Sequence, residues 1–164
     1  MLAPSLKRVR ILLGVVAFGL AISGVTIWPW ELELTLAISL LEQLSAPSAL
    51  GELLAAILAD MQDLRDRQSF VLYIADWLAY AHLVLAALFV MAMRDPVRNI
   101  LVVRFGLLCC ATVPILAVSC IPLRGIPLFW IAVDSSFALA ALPLWVALRD
   151  LRALERAGSQ GTAS

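Results

Sequence analysis

Residues 70–93 read FVLYIADWLAYAHLVLAALFVMAM, a stretch that contains one acidic residue, Asp76, and one histidine, His82. A membrane-spanning helix needs about 20 mostly apolar residues, because the hydrocarbon core is ~30 Å thick and a helix rises ~1.5 Å per residue. A continuous apolar run favours a helix, since the strands of a membrane barrel alternate in polarity over ~10 residues. Residues 70–93 are therefore predicted to form a transmembrane helix.

Three further stretches have the same character. Residues 11–28 carry no charge, residues 99–121 carry only Arg104, and residues 128–148 carry only Asp134. Lipid offers no water to satisfy backbone polar groups, so such segments form helices in which those groups pair internally. We predict an all-α integral membrane protein built as a bundle of four transmembrane helices.

The composition agrees with this class. Hydrophobic residues make up 63% of the 164-residue chain and charged residues 15%, whereas soluble proteins have roughly 45–50% and about 25%. Twelve basic residues balance twelve acidic ones, so no bulk charge attracts a polyanion. These values exclude a disordered chain and an ordinary soluble enzyme. The predicted partners are the lipid bilayer and a second copy or another membrane protein, with no nucleic acid.

Residues 7–23 also resemble a signal peptide, because basic residues precede a short apolar run that ends in small residues. The apolar run continues to Trp28 and so reaches spanning length, which predicts that the first helix is retained.

Basic residues are distributed unequally about the predicted spans, eight on one side and three on the other. The eight are Lys7, Arg8, Arg10, Arg94, Arg98, Arg149, Arg152 and Arg156, and the three are Arg65, Arg67 and Arg124. Because basic residues concentrate on the cytoplasmic side, both termini are predicted to be cytoplasmic.

The connection formed by residues 29–69 is the only long one, and this topology places it outside the cytoplasm. Seven acidic residues outnumber two basic ones there, and its apolar residues recur at helical spacing. We predict two amphipathic helices on the extracytoplasmic side between helices 1 and 2. The chain is then one membrane domain, residues 1–156, followed by a small polar tail, residues 157–164, that is predicted to be disordered.

Local motifs predict how the helices begin, end and bend. Asp95 is expected to cap the third helix with Pro96 at its first position, and Gly125 to take a positive φ in the outer turn. Pro114 and Pro143 lie inside predicted spans, where proline kinks a helix.

The candidate site is built from polar residues inside the spans. Asp76 and Asp134 each lie six residues into a helix that enters from outside, so both are expected roughly 9 Å below the outer boundary. Tyr80 shares a helix face with Asp76, and Arg124, in the outer turn, is the nearest cation in sequence. Repulsion between two close carboxylates keeps one protonated, as in a proton- or cation-coupled site. The alternative is that each carboxylate fixes helix packing through hydrogen bonds.

His82 completes the candidate site as a hydrogen-bonded core residue or as a proton relay or ligand. The cysteines, Cys109, Cys110 and Cys120, include no C-x-x-C pair and are interpreted as small buried hydrophobic residues. Neither a nucleophile–base pair nor a phosphate- or metal-binding motif is recognisable. The sequence therefore predicts no catalytic residue, no metal and no cofactor.

Residues 76–82 (DWLAYAH), 94–99 (RDPVRN) and 124–130 (RGIPLFW), together with Asp134, resemble a group of small bacterial multi-pass membrane proteins. The resemblance covers about the C-terminal half of the chain. It implies a location in the bacterial inner membrane and implies no activity.

Three roles follow from these features. We rank first a non-catalytic subunit or scaffold of a membrane complex. The second is a small transporter or channel component that uses Asp76, Asp134 and His82 for proton or cation coupling. The third is a membrane enzyme or haem protein with His82 as base or ligand.

Overall fold

The structure, a computed structural model, describes residues 4–44 and 48–161, in which every regular element is a helix. These are α1 (Leu6–Val25), α2 (Trp30–Gln43), α3 (Ser48–Arg94), α4 (Ile100–Leu123), α5 (Trp130–Ser135), a 3₁₀ helix (Ser136–Ala140) and α6 (Ala141–Gly161). Within the described residues, four segments are long and apolar enough to cross a membrane: Leu6–Val25, Ala49–Arg94, Ile100–Leu123 and Trp130–Ala157. The predicted class, an all-helical multi-pass membrane protein, agrees with these four segments.

The first helix is shifted toward the N-terminus relative to its prediction. It starts at Leu6, so the basic residues before the apolar run lie on its first turns, and it ends at Val25. The chain then turns over residues 26–29 before α2 begins at Trp30. Pro29 favours this ending, because it lacks the N–H that would bond the Val25 carbonyl four residues back.

Helix α3 is 47 residues long and is interrupted at Gln68, whose φ of −145° and ψ of 59° are not helical. An unbroken helix of that length would extend about 70 Å, more than twice the thickness of a hydrocarbon core. The interruption separates a half with six charged residues, 48–67, from an apolar half that begins at Ser69. The break lies next to the predicted start of the second span, at Phe70.

The chain divides into two compact units, of which unit 2 comprises residues 20–85 within the described ranges. Arg65, near the break in α3, forms an ion pair with Glu31 in the first turn of α2. A second pair joins Arg67 Nε to Asp63 Oδ1 at 2.6 Å. Both pairs are exposed, and such pairs contribute less than about 1 kcal/mol. The predicted connecting helices are therefore present, while their amphipathic, extracytoplasmic placement stays a prediction.

Unit 1 comprises residues 4–19 and 86–161 of the described chain and contains most of the hydrophobic core. Helix α4 packs against α5, the 3₁₀ helix and α6. Gly106 permits close packing, because a Cβ there would lie 2.7 Å from Phe89 Cζ and 2.9 Å from Leu144 Cδ1. The buried hydrophobic side chains of unit 1 are Val9, Leu13, Val16, Ala17, Ala86, Phe89, Ala92, Val103, Cys110, Ala117, Ile121, Leu144, Ala147, Leu148 and Leu151.

The turn before α4 differs from its prediction. Asp95 Oδ1 accepts a hydrogen bond from the Arg98 N–H at 3.2 Å, but α4 begins only at Ile100, after a separate turn over residues 96–99. Asp95 therefore caps this turn, and the prediction that it is the N-cap of the third helix is wrong. The Asn99 N–H donates to the Asp95 carbonyl, so the chain makes one closed turn before the helix starts.

The turn after α4 follows its prediction. Gly125 has a φ of 68°, its N–H donates to the Pro122 carbonyl, and the Ile126 N–H donates to the Ile121 carbonyl. This pair of bonds is a Schellman ending, which requires a left-handed residue that glycine adopts without a Cβ penalty.

The fourth predicted span is not one regular helix. The 3₁₀ helix separates α5 from α6 and ends three residues before Pro143. Proline removes the hydrogen bond to the carbonyl four residues back, that of Leu139, and its ring crowds that carbonyl. This local cost explains why the backbone tightens at residues 136–140. At the C-terminal end, α6 extends to Gly161, into the tail for which the sequence predicts disorder, and residues 162–164 lie outside the described residues.

Candidate functional site

Asp76 lies in a row of aromatic side chains on the apolar half of α3. The ring centroids of Tyr73 and Trp77 are 6.2 Å apart, and those of Trp77 and Tyr80 are 6.1 Å apart. Both pairs meet edge to face, at 79° and 88°, an arrangement in which the positive edge of one ring contacts the negative face of the next. The row extends toward the Gln68 break through Phe70, 6.1 Å from Tyr73.

This Asp76 face, defined as Tyr73, Asp76, Trp77 and Tyr80, is open. The four residues line a shallow cavity of about 350 Å³, and Trp77 and Tyr80 are each 58% exposed. The Asp76 side chain is also exposed, and it makes no hydrogen bond or ion pair with any residue in the described part of the chain. The face therefore presents a carboxylate framed by three aromatic rings on the outside of a membrane-spanning helix.

His82 has a partner on its own helix. Its Nδ1–H donates to the Leu78 carbonyl at 2.7 Å, which leaves Nε2 as the acceptor in the neutral ring. The side chain is half-buried beside Gly24 of α1, where an added Cβ would lie 3.2 Å from His82 Cβ. This bond and this packing favour a structural role over a ligand role.

Arg124 and Asp134 belong to unit 1, whereas Asp76, Tyr80 and His82 belong to unit 2. Arg124 ends α4, where its N–H donates to the Cys120 carbonyl at 3.0 Å, and its side chain is exposed. Asp134 is half-buried in α5, and the ion pairs of the described residues do not include one between Asp134 and Arg124. The predicted cluster of Asp76, Asp134 and Arg124 therefore stays a prediction.

A part-buried ion pair that the sequence analysis missed joins α1 to α6 within unit 1. Arg8 Nε in α1 donates to Asp150 Oδ2 in α6 at 2.6 Å, across 142 positions of sequence. Asp150 is 2% exposed, and Arg149 adds a more distant contact at 3.8 Å. The available signal was the presence of two acids, Asp150 and Glu155, among the basic residues that follow the fourth span, but no local pattern identifies the partner of Asp150.

A second arginine of α1 contacts the end of α3. Arg10 Nε donates to the Met93 carbonyl at 3.0 Å, and its Nη2 donates to the Arg94 carbonyl at 3.3 Å. These carbonyls lie at the helix C-terminus, where they lack intrahelical partners and where the helix dipole favours a cation. Arg8 and Arg10 thus bring the N-terminus of α1 to the C-terminal parts of α3 and α6.

The remaining groups with possible metal or thiol chemistry are the metal-ligating side chains and the three cysteines. Among residues 4–44 and 48–161, no three His, Cys, Asp or Glu side chains come close enough to hold a metal ion. Cys110 is buried, Cys109 half-buried and Cys120 exposed, and all three are free thiols.

Comparisons with known protein families, with curated proteins and with solved structures find no match to this chain. The resemblance to the group of small bacterial membrane proteins therefore stays a prediction.

Proposed function

We propose that the protein is a non-catalytic subunit or scaffold of a membrane complex. The observation that carries the proposal is the Asp76 carboxylate, which is exposed on the spanning half of α3 without a partner in the described chain. The cost of a carboxylate inside a membrane helix reaches about 2.5–3.5 kcal/mol at the centre, so such residues face other protein or water. A neighbouring subunit that supplies an opposite charge or hydrogen-bond donors would offset this cost.

The aromatic rings around Asp76 support the same role. Tyr and Trp are enriched in the parts of protein interfaces that contribute most of the binding energy, because they bury a large area and keep a polar tip. Within the described chain, the hydroxyls of Tyr73 and Tyr80 make no hydrogen bond, so they are free to bond a partner.

The proposed location is the bacterial inner membrane, with both termini in the cytoplasm. The eight basic residues on one side of the spans support this orientation. The contacts of Arg8 and Arg10 support the relative arrangement, since they group the N-terminus of α1 with the C-terminal parts of α3 and α6. For these helix ends to meet, α1 must be antiparallel to α3 and α6, as it is in the predicted four-span topology.

Native mass spectrometry of the gently solubilised protein tests the proposal. The protein should be purified through a C-terminal tag from its own membrane, without overexpression. A species heavier than the chain by the mass of another polypeptide is expected. A bare monomer, or a homo-oligomer that carries a non-lipid ligand, would contradict a scaffold role.

The second candidate function is a transporter or channel component. The interruption of the fourth span supports it, since the 3₁₀ helix begins two residues after Asp134. Discontinuous helices form ion and substrate sites in many transporters. Proteoliposomes containing a pH-sensitive dye test this alternative. Proton flux that Asp134→Asn abolishes, while assembly persists, would favour it over the scaffold role.

A further inference from the structure

We infer that the Asp76 face binds a transmembrane helix of the partner that carries an arginine or a lysine at the depth of Asp76. The inference deepens the proposed function and rests on it. The proposed function requires some partner, whereas this inference fixes the chemistry of the partner and the place where it docks.

The shape of the Asp76 face suits a helix. From Tyr73 to Tyr80 the face covers about two turns, or ~10 Å, along α3. Its rings meet edge to face in a row along the helix instead of enclosing a point. The cavity of about 350 Å³ is lined by these four residues of α3 alone. A second surface laid along α3 would close the cavity, as a neighbouring transmembrane helix does.

The chemistry of the face selects a cation. An ionised carboxylate accepts charge-assisted hydrogen bonds from an ammonium or guanidinium group. Faces of Trp and Tyr attract the same cations, by about 0.5–2 kcal/mol and more strongly away from water. Asp76 lies between Tyr73 and Trp77 in sequence and one turn from Tyr80, so one cation can contact the carboxylate and a ring together.

A second copy of the chain fits this face poorly. A symmetric dimer through the face would bring two Asp76 carboxylates together, and like charges in a membrane repel strongly. Arg104 is the only basic residue inside the predicted spans. The predicted topology places it roughly 16 Å from the level of Asp76 along the membrane normal, too far to reach that carboxylate from a parallel copy.

A lipid headgroup also fits poorly. Cationic headgroups lie outside the hydrocarbon core, whereas the topology places Asp76 roughly 9 Å inside it. A long basic side chain on a helix can deliver its charge to that depth, because the helix backbone itself crosses the membrane.

The test uses the full-length protein in vesicles and a synthetic transmembrane peptide as the probe. The peptide is a Leu/Ala helix with one arginine six residues from its outer end, and the control peptide has leucine at that position. Energy transfer between a donor on the C-terminal tail and an acceptor on the peptide measures association. The variants are Asp76→Asn, the conservative Asp76→Glu, and Asp60→Asn as a matched change at an exposed acid.

The arginine peptide is expected to bind about tenfold more tightly than the leucine peptide. Asp76→Asn should abolish this preference, whereas Asp76→Glu and Asp60→Asn should keep it.

Equal binding of the two peptides, or a preference that survives Asp76→Asn, would overturn the inference. Self-association of the protein that competes with the peptide would assign the face to a second copy. If the preference for the arginine peptide is lost in phosphatidylcholine vesicles but kept in phosphatidylglycerol vesicles, the Asp76 face binds the cationic headgroup of phosphatidylcholine. Either result also overturns the inference.

Purification of the native complex distinguishes a failure of this inference from a failure of the proposed function. If the unmodified protein purifies with another polypeptide and Asp76→Asn does so equally well, the inference fails and the scaffold role stands. If the unmodified protein purifies without another polypeptide, the scaffold role itself fails.

Discussion

Adding one methyl group at a glycine tests the helix packing most directly, and at Gly24 the atom nearest to an added Cβ belongs to the backbone. An added Cβ there would lie 2.9 Å from the Ala79 carbonyl oxygen and 3.1 Å from Leu83 Cγ. Carbon–oxygen contacts between helices are normally 3.3–3.6 Å, so α1 and α3 would have to separate by about half an ångström. Since a backbone carbonyl cannot rotate out of the way as a side chain can, Gly24→Ala should cost about 2–3 kcal/mol, the upper part of the overpacking range.

Two other glycines provide a graded comparison. At Gly106 the obstacles are the ends of two buried side chains, Phe89 and Leu144, at 2.7 and 2.9 Å. These side chains can shift by a few tenths of an ångström, so Gly106→Ala should cost about 1–2 kcal/mol. Gly19 has no described atom within 4 Å of an added Cβ, so Gly19→Ala should not destabilise the protein and should stabilise α1 by up to about 1 kcal/mol.

Reversible unfolding in dodecyl maltoside by increasing amounts of sodium dodecyl sulfate, followed by tryptophan fluorescence, measures these differences. The expected order of destabilisation is Gly24→Ala, then Gly106→Ala, then Gly19→Ala. If Gly24→Ala unfolds like the unmodified protein, or if Gly19→Ala is destabilised as much as Gly24→Ala, the close approach of α1 to α3 is refuted.

Four further predictions follow from the charges. Asp150→Asn should lower the free energy of unfolding by about 2–3 kcal/mol, because the buried Asp150 side chain loses its charge-assisted hydrogen bond from Arg8. Asp76→Asn should change the free energy of unfolding by less than about 0.5 kcal/mol, because no described group pairs with Asp76. The same unfolding experiment measures the effects of Asp150→Asn and Asp76→Asn. Arg10→Gln should cost about 1–2 kcal/mol, since two carbonyls at the end of α3 lose a charged donor; a loss equal to that of Asp150→Asn would contradict this explanation. A C-terminal green fluorescent protein fusion should fluoresce and an alkaline phosphatase fusion should be inactive, and the reverse pattern would refute cytoplasmic termini.

The sequence predicts much of the fold because the membrane leaves few alternatives. A long apolar run must satisfy its backbone within a helix, so four runs predict four spanning helices. Local chemistry also fixes some ends, as at Gly125, where only the left-handed conformation completes the turn. The helix boundaries near Pro96 and Pro143 are not predicted correctly. The start of α4 at Ile100 and the 3₁₀ helix before Pro143 depend on which carbonyls each ring displaces, which spacing alone does not determine.

The candidate site is predictable only in part. Helical spacing places Tyr73, Asp76 and Tyr80 on one face, and the structure has them lining one cavity. Trp77 was not assigned to that face, although it stands next to Asp76 in sequence and its ring lies between the two tyrosines. The pair between Arg8 and Asp150 joins the two ends of the chain, and hydrophobic periodicity contains no information on such contacts.

The two carboxylates, Asp150 and Asp76, are a matched contrast within one apolar chain. Burial makes a charge costly unless an opposite charge and good hydrogen bonds compensate it. The chain supplies that compensation for Asp150, which is 2% exposed and bonded to Arg8. It supplies none for Asp76 within the described residues, and surrounds that acid with exposed aromatic rings instead. If Asp76 served only to stabilise this chain, its replacement would weaken the isolated protein, as replacement of Asp150 is expected to do. A stable Asp76→Asn protein that loses its preference for a cationic helix would place the compensating charge on another polypeptide.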